Sequence, residues 1–462
     1  MAVTFKDCPD QTAKERITLL VVSVVQFLGP FMASAVGVAL PAIGRAFNAG
    51  AAQLGRVEVD YLLAFALILI PAGRFSDIYG RKKVFTTGLG IFSFATVMLC
   101  FAWSIESFIA MRFVQGAGSA MITGTSMAIL TSVFPACRRG YAMGIVVGCL
   151  YIALSAGPAL GGVMVTHLGW QSLFYGVLPF CAVAMILILR GLKDEWADAA
   201  GETFDWKGAA VYVVALSMIV YGLTADEGKV ALGIAFCGVA AMIYFVWLER
   251  KTSFPVLDVK LIFSNREFAF SNLATFINYA SSFSLTFLFS LYLQYVKGFT
   301  PQIAGVLLIV QPIVQSILAP ISGKLSDKYP PTNIASLGMI LCAAGIGVAT
   351  LVDGQSSLVL IGGMLFLLGL GFGFFSTPNL NAIMGSVKPE QYGTASGFVS
   401  TMRTMGMLSS MTFVTLMLRY NMGDAPVSVE TQGAFLLSMH TVFLVFLVLS
   451  LLGVGFSFIR NR

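Results

Sequence analysis

Fourteen stretches dominated by Leu, Ile, Val, Phe, Ala and Gly alternate with short segments that collect nearly all of the charge. They run roughly over 17–40, 57–74, 84–102, 107–134, 141–165, 170–190, 207–225, 229–248, 268–296, 302–322, 333–351, 357–385, 392–418 and 434–459. About 20 apolar residues carry a helix across the hydrocarbon core of a bilayer. Within that core every backbone polar group must be satisfied internally, which a helix achieves. The pattern therefore predicts an all-α polytopic membrane protein with 14 transmembrane helices. Residues 1–16 are polar and of mixed charge, and the stretch that follows is longer than a signal-peptide core. No cleaved leader is expected, despite the small residues Ala33-Ser34-Ala35.

Charge placement supports the same count. Of 28 Lys and Arg residues, 21 fall in the segments that share a side with the N-terminus. The opposite side holds Arg45, Arg56, Lys229, Lys297 and Arg419, while Arg112 and Arg403 lie within spans. Basic residues are retained on the cytoplasmic side, so both termini are expected there, in a cell (inner) membrane. The composition agrees: 57% hydrophobic, 11% charged, mean hydropathy +0.86, against about 25% charged for a soluble domain. The net charge of +6 is then topological and implies no nucleic-acid partner. The seven cysteines lack metal-ligand spacing. Gly369-Leu370-Gly371-Phe372-Gly373 sits inside a span rather than after a strand, so it is no dinucleotide loop. No metal, cofactor or enzyme activity is expected, and the chain is expected to be a monomer.

The chain carries an internal repeat. Gly73-x3-Asp77 returns as Gly323-Lys324-Leu325-Ser326-Asp327, and Pro135-Ala136-Cys137-Arg138-Arg139-Gly140 as Pro389-Glu390-Gln391-Tyr392-Gly393. Two pseudo-symmetric six-helix bundles, residues 1–190 and 267–462, are thus expected to flank linkers and an inserted helix pair in residues 191–266.

Four motifs carry chemistry. Gly73-Arg74-Phe75-Ser76-Asp77-Ile78-Tyr79-Gly80-Arg81-Lys82-Lys83 places Gly73 and Asp77 on one helical face, allows a sharp turn at Gly80, and adds a basic run. Arg112-Phe113-Val114-Gln115-Gly116 puts a cation in an apolar span, a costly arrangement that marks function by default. Gly157-Pro158-Ala159-Leu160-Gly161-Gly162 combines a missing backbone donor with close-packing glycines. Val38-Ala39-Leu40-Pro41 closes the first span. Together these resemble the signatures of major facilitator superfamily transporters, and the charged linker at 249–266 resembles that of the fourteen-span drug:proton antiporter branch. The resemblance implies two halves that rock about a central site. It gives Gly73, Asp77, Gly80, Arg81 and Lys82 a gating role, with Asp77 and the basic run latching the cytoplasmic side. It associates Arg112 with the cavity and proton transfer, and Gly157, Pro158, Gly161 and Gly162 with export. One departure matters: branch members often carry an aspartate in the first span where this chain has Met32.

Among the 22 acidic residues, Glu58 and Asp60 are read as lying inside a span, and on a helix they point to nearly opposite faces. Either one lines the cavity and exchanges a proton, or both are solvated at the helix entrance beside Arg56. With Arg112, Gln115 and Arg403 they form the candidate cavity or coupling set. Arg403 either pairs with Asp77 across the halves or extends to the surface. Gln26, Met32, Asn278, Gln311 and Asn379 are candidates for the substrate cavity. The expected activity is secondary active export of small amphipathic molecules by alternating access, coupled to proton antiport. The alternatives are a dedicated metabolite exporter or facilitator without proton coupling, and a transport-inactive membrane sensor.

Overall fold

The computed structural model describes residues 12–192, 194–224, 228–326, 328–388, 391–423, 425–428 and 430–460. Asp327, Pro389 and Glu390 of the internal repeat lie outside these residues. The described chain is helical throughout: α1 (Ala13–Phe47), α2 (Ala51–Tyr79), α3 (Arg81–Cys100), α4 (Ile105–Val133), α5 (Ala136–Leu168), α6 (Ser172–Gly191), α7 (Trp206–Thr224), α8 (Lys229–Glu249), α9 (Lys260–Ser264), α10 (Arg266–Ser282), α11 (Leu285–Leu291), α12 (Pro301–Leu308), α13 (Val310–Ser326), α14 (Pro331–Ala349), α15 (Leu358–Gly385), α16 (Tyr392–Met422) and α17 (Gln432–Arg460). A π-helical turn, Tyr292–Val296, follows α11. Eleven helical segments are long and apolar enough to cross a bilayer. Helices α2, α4 and α16 are as long, at 29, 29 and 31 residues. At about 1.5 Å per residue each exceeds the roughly 30 Å hydrocarbon core, but they carry more polar groups.

Helices α1 to α6 pack together, chiefly α1 on α5, α2 on α4 and α3 on α4. Helices α10 to α17 form a second bundle through α14 on α15, α13 on α15 and α10 on α16. Helices α7 and α8 pair as a hairpin, and α7 touches both α2 and α16. Many residues of α8, Phe236, Ile243 and Trp247 among them, are exposed outward, as lipid contact requires.

Two local features differ from the sequence pattern. The stretch expected to be continuous over 268–296 breaks between α10 and α11. There the Ser284 backbone N–H donates to Ser410 Oγ at 3.2 Å, and the two hydroxyls lie 2.8 Å apart. A helix break at membrane depth persists only where protein groups satisfy the freed backbone. Helix α1 also runs on through Pro41 to Phe47, rather than ending at that proline. Pro41 has no N–H to give the Gly37 carbonyl four residues earlier, and Ser290 Oγ donates to that oxygen at 2.8 Å instead.

Candidate functional site

The two bundles meet closely at one end of the molecule. The closed end carries the α1–α2 and α5–α6 connections. Besides the Ser290 contact, Gln294 Nε2 donates to Val38 O at 2.9 Å and the Tyr295 hydroxyl to Pro41 O at 3.2 Å. Gln302 N donates to Thr166 Oγ1 at 3.1 Å, and Ala51 N to Ala425 O at 3.2 Å. Close backbone approach completes this seal. A side chain at Gly162 would meet Pro301 O and Gln302 Cα, and one at Gly305 would collide with Pro158 O. Gly157 and Gly161 serve a second seam, against Ser34 and Ala35 of α1. The Gly-Pro-x-x-Gly-Gly segment of α5 is therefore a two-sided packing surface, one side of which belongs to the inter-bundle seal.

At the opposite, charge-rich end, a side chain added at Gly73, Gly144 or Gly148 would meet nothing within 4 Å. The same holds at Gly385 and Gly397 of the second bundle. Tyr141 is 51% exposed there. At mid-depth a polar cluster is built from both bundles. Tyr151 of α5 lies beside Gln315 of α13, Ser376 of α15, Arg403 of α16 and Tyr279 of α10. Ser155 Oγ stands 3.5 Å from Ser316 Oγ. Arg403 does not meet Asp77, and among the described residues it makes no ion pair.

Arg112, expected at the cavity, lies elsewhere. The structure turns it into the first bundle, where it is fully buried. Its Nη1 donates to Gln115 Oε1 at 2.6 Å, Nη2 lies 3.5 Å from Glu58 Oε2, and the guanidinium sits 4.2 Å from the Tyr61 ring centroid. Gln115 passes the network to Thr96 of α3 at 2.9 Å, and Tyr61 donates to Ser119 at 3.0 Å. Arg112 and Gln115 lie one helical turn apart on the face of α4 that meets α2 and α3, so packing there excludes the cavity. Glu58 Oε1 and Arg112 Nε have no hydrogen-bond partner, so the pair is incompletely satisfied. Asp60 points elsewhere, 3.8 Å from Arg56, into a cleft of about 340 Å³ lined also by Gln53, Glu106 and Phe113. Glu58 and Asp60 thus occupy separate environments.

Asp77 is engaged within its own bundle. Arg81, one turn away across Gly80, donates to Asp77 Oδ1 from Nε at 2.9 Å and Nη2 at 2.7 Å. Its Nη1 reaches Ser132 Oγ at 2.6 Å and Asp198 at 2.8 Å. Gly80 has φ +123 and ψ 126, a conformation reserved for glycine, and it joins two long helices through one residue. The linker after α6 closes over this turn: Trp196 O accepts from Arg81 N at 2.8 Å, Glu195 from Lys82 N at 2.8 Å, and Ala199 N donates to Asp77 O at 2.9 Å. Arg74 pairs with Glu202, and Lys14 with Asp194. The Lys14 ammonium holds the exposed Asp194 carboxyl below its ordinary range.

Met32 and Asn278 are buried at 0% and 1% exposure. Asn379, also buried, donates to Ser271 O and Thr275 Oγ1 of α10. Gln26 is buried and Gln311 half-buried, its carbonyl packed on Gly369. Of the five substrate-cavity candidates, none joins the Tyr151 cluster. Sequence reasoning missed Tyr151 and Tyr279; the signal was a phenol inside a span, near the middle of α5 for Tyr151 and in α10 for Tyr279.

The family model described as Major Facilitator Superfamily matches residues 22–411. The chain belongs to the Major Facilitator Superfamily. It is similar to the riboflavin transporter RibZ of Clostridioides difficile (strain 630), at 27% identity over 84% of this chain and 85% of that protein. It is 31% identical to the multidrug resistance protein Stp of Mycobacterium tuberculosis (strain CDC 1551 / Oshkosh), over 84% of this chain and 74% of the relative. The drug efflux pump JefA of the same strain is 28% identical, over 87% and 80%. The fold matches the crystal structure of a bacterial homologue of the human lysosomal transporter Spinster, described as inward-facing and unoccupied. That likeness has a TM-score of 0.71 at 14% identity and covers 98% of both chains. The chain is thus a multi-pass membrane transport protein of this superfamily, and these proteins act on small molecules within the membrane.

Proposed function

We propose that this chain is a fourteen-span secondary carrier of the cell membrane that exports small amphipathic molecules by alternating access. The helix-by-helix correspondence supports fourteen spans: α10 with α11 and the π turn makes the ninth, α12 with α13 the tenth, and α2, α4 and α16 are included by length. Both termini then lie on the charge-rich side, the cytoplasm. Residues 1–190 and 267–462 form the two pseudo-symmetric bundles, with α7 and α8 the inserted pair. The observation that carries the reading is the seal at one end with open space at the other, and between them the polar cluster of Tyr151, Gln315, Ser376 and Arg403. This is an inward-open arrangement, ready to take a molecule from the cytoplasm.

The uncompensated Arg403 in that cluster favours neutral or anionic substrates over cationic ones, because a like charge would be repelled in a low-dielectric setting. The tyrosines at 151 and 279 offer flat faces to an aromatic substrate. Proton antiport would act through Glu58, the carboxylate with one oxygen unpartnered inside the first bundle, whose protonation releases its hold on Arg112. A facilitator without proton coupling is the second reading, favoured by Met32 in the first span.

Purified protein in liposomes tests both. An imposed pH gradient should accelerate accumulation of anionic and neutral aromatic dyes or flavins, and Glu58→Gln should abolish that acceleration while gradient-free exchange continues. Exchange that ignores the gradient in the unmodified protein refutes antiport, and absence of any substrate flux refutes transport.

A further inference from the structure

Away from the transport pathway, two carboxyl groups meet where the linkers flank the α7–α8 hairpin. Asp205 precedes α7, and its Oδ1 accepts from the Gly208 backbone N–H at 2.9 Å. Glu249 ends α8 and is only 1% exposed. Its Oε2 accepts from Leu257 N, in the second linker, at 2.9 Å. Each residue therefore spends one oxygen on a backbone donor. The other two oxygens, Asp205 Oδ2 and Glu249 Oε1, are buried and have no donor. They converge over Gly208, where any Cβ would collide with both, and the two carboxyls lie within hydrogen-bond reach.

Two carboxylate oxygens can only accept, so something positive must lie between them. The neighbouring cations are turned away. Lys251 Nζ sits 3.7 Å over the Trp247 ring, Arg250 4.5 Å over Phe263, and Arg74 pairs with Glu202. Lys207 is exposed on the rim of an adjoining cleft of about 420 Å³, with Thr203, Trp206 and Ser253. Asp258 turns back on its own backbone, accepting from Lys260 N. Among the described residues no third His, Cys, Asp or Glu completes a metal-ligand set.

We infer that Asp205 and Glu249 form a proton-binding site, in which one proton shared between Oδ2 and Oε1 ties the start of α7, the end of α8 and the second linker into one unit. The hydrogen-bond chain runs from Gly208 N–H through Asp205, the proton and Glu249 to Leu257 N–H. Two residues on, Val259 enters the apolar cluster with Leu261, Phe268, Ile383 and Phe398, so the tether reaches the second bundle. Loss of the proton sets two like charges in contact. Glu249 is enclosed and cannot leave. Asp205, half-buried, swings into the cleft, gives up the α7 cap and slackens the linker.

The test uses the full chain in lipid nanodiscs. Infrared difference spectra taken as pH is raised should show the loss of one protonated-carboxyl band, absent in both Glu249→Gln and Asp205→Asn. A bimane attached at Ser253→Cys, with Cys237→Ser removing an exposed thiol, should change emission over the same pH range. That change should vanish in Glu249→Gln, whose amide N–H replaces the proton. A band that survives in either single variant overturns the proposal, as does a bimane response unchanged in Glu249→Gln. Binding of Mn²⁺ that is lost in Glu249→Gln also overturns it, by making the occupant a divalent cation. Because neither residue lines the inter-bundle gap, these outcomes leave the transport reading standing or falling on its own.

Discussion

Gly162→Val should push the carrier out of the arrangement in which the α5–α12 seal is closed, without unfolding it. A Cβ on Gly162 would stand 2.5 Å from Pro301 O and 3.0 Å from Gln302 Cα. Both obstacles are backbone, so no side-chain rotation relieves them, and α5 and α12 must part by about an ångström in an interior packed as tightly as a crystal. Overpacking of this kind costs about 1–3 kcal/mol. The penalty applies only while the seal is closed, so it becomes a shift of about 5–150-fold in the ratio of the two states. The assay is the rate of maleimide labelling at Gly148→Cys in a cysteine-free background. Gly148 faces open space in this structure, and labelling there should slow as the charge-rich end closes. Gly363→Val, where an added side chain meets nothing within 4 Å, should leave the rate unchanged. If Gly162→Val labels at the parental rate while the protein remains monodisperse, the seam between α5 and α12 does not set the equilibrium.

Removing Arg403 with Arg403→Ala should raise the KM for anionic substrates by about ten- to a hundredfold, the worth of one hydrogen bond to a charged group, and leave neutral substrates nearly unaffected in liposome uptake. An equal loss for both classes would deny it a charge-recognising role. Arg112→Ala strands a buried Glu58 and should lower thermal stability by about 3–5 kcal/mol, and the double variant with Glu58→Gln should recover part of it. Equal melting behaviour of the single and double variants would mean that the pair is not coupled. Arg81→Ala removes the bonds to Asp77, Ser132 and Asp198 and should speed cutting by a glutamate-specific protease at Glu195 and Glu202 of the linker several-fold. An unchanged rate would show that the turn does not hold the linker.

The helical spans were legible because long apolar stretches in a bilayer satisfy their backbone as helices, and eleven segments pass on length and apolarity; α2, α4 and α16 match by length only. The break at Ser284 was not legible, because its stabilising partner Ser410 lies in another helix and no local signal announces it. Arg112 and Glu58 each stood out as charges in apolar surroundings, yet their pairing depends on how α2 crosses α4. That crossing is what diverts Arg112 from the cavity to Gln115, Thr96 and Glu58. Glu15 and Glu249 fall just outside the apolar stretches of the sequence, where nothing local marks a carboxylate as buried. The fold buries both, Glu15 against Arg138 at 2.9 Å and Glu249 beneath the second linker. Tyr151 went unnoticed because a lone aromatic in a span reads as packing until the opposite bundle supplies Gln315 and Arg403.

The distribution of charge constrains how the two bundles can move. The seven ion pairs defined among the described residues all fall between Lys14 and Glu202, and none bridges the two bundles. Rocking one bundle against the other therefore breaks uncharged bonds to backbone carbonyls, such as the Ser290 hydroxyl to Gly37 and the Gln294 amide to Val38, each worth only about 0.5–1.5 kcal/mol net. Such a seal is shallow enough to open within a transport cycle, and its opening should depend little on ionic strength. It is also too weakly biased to choose a direction by itself. A ligand can shift a two-state equilibrium only by its differential affinity for the two states. The one unpaired charge in the mid-depth cluster, Arg403, is where a substrate bearing a negative charge would supply that difference. If transport follows the proposed cycle, a negatively charged substrate held at Arg403 should be what favours closure of the charge-rich end, since Asp77 is engaged only within its own bundle.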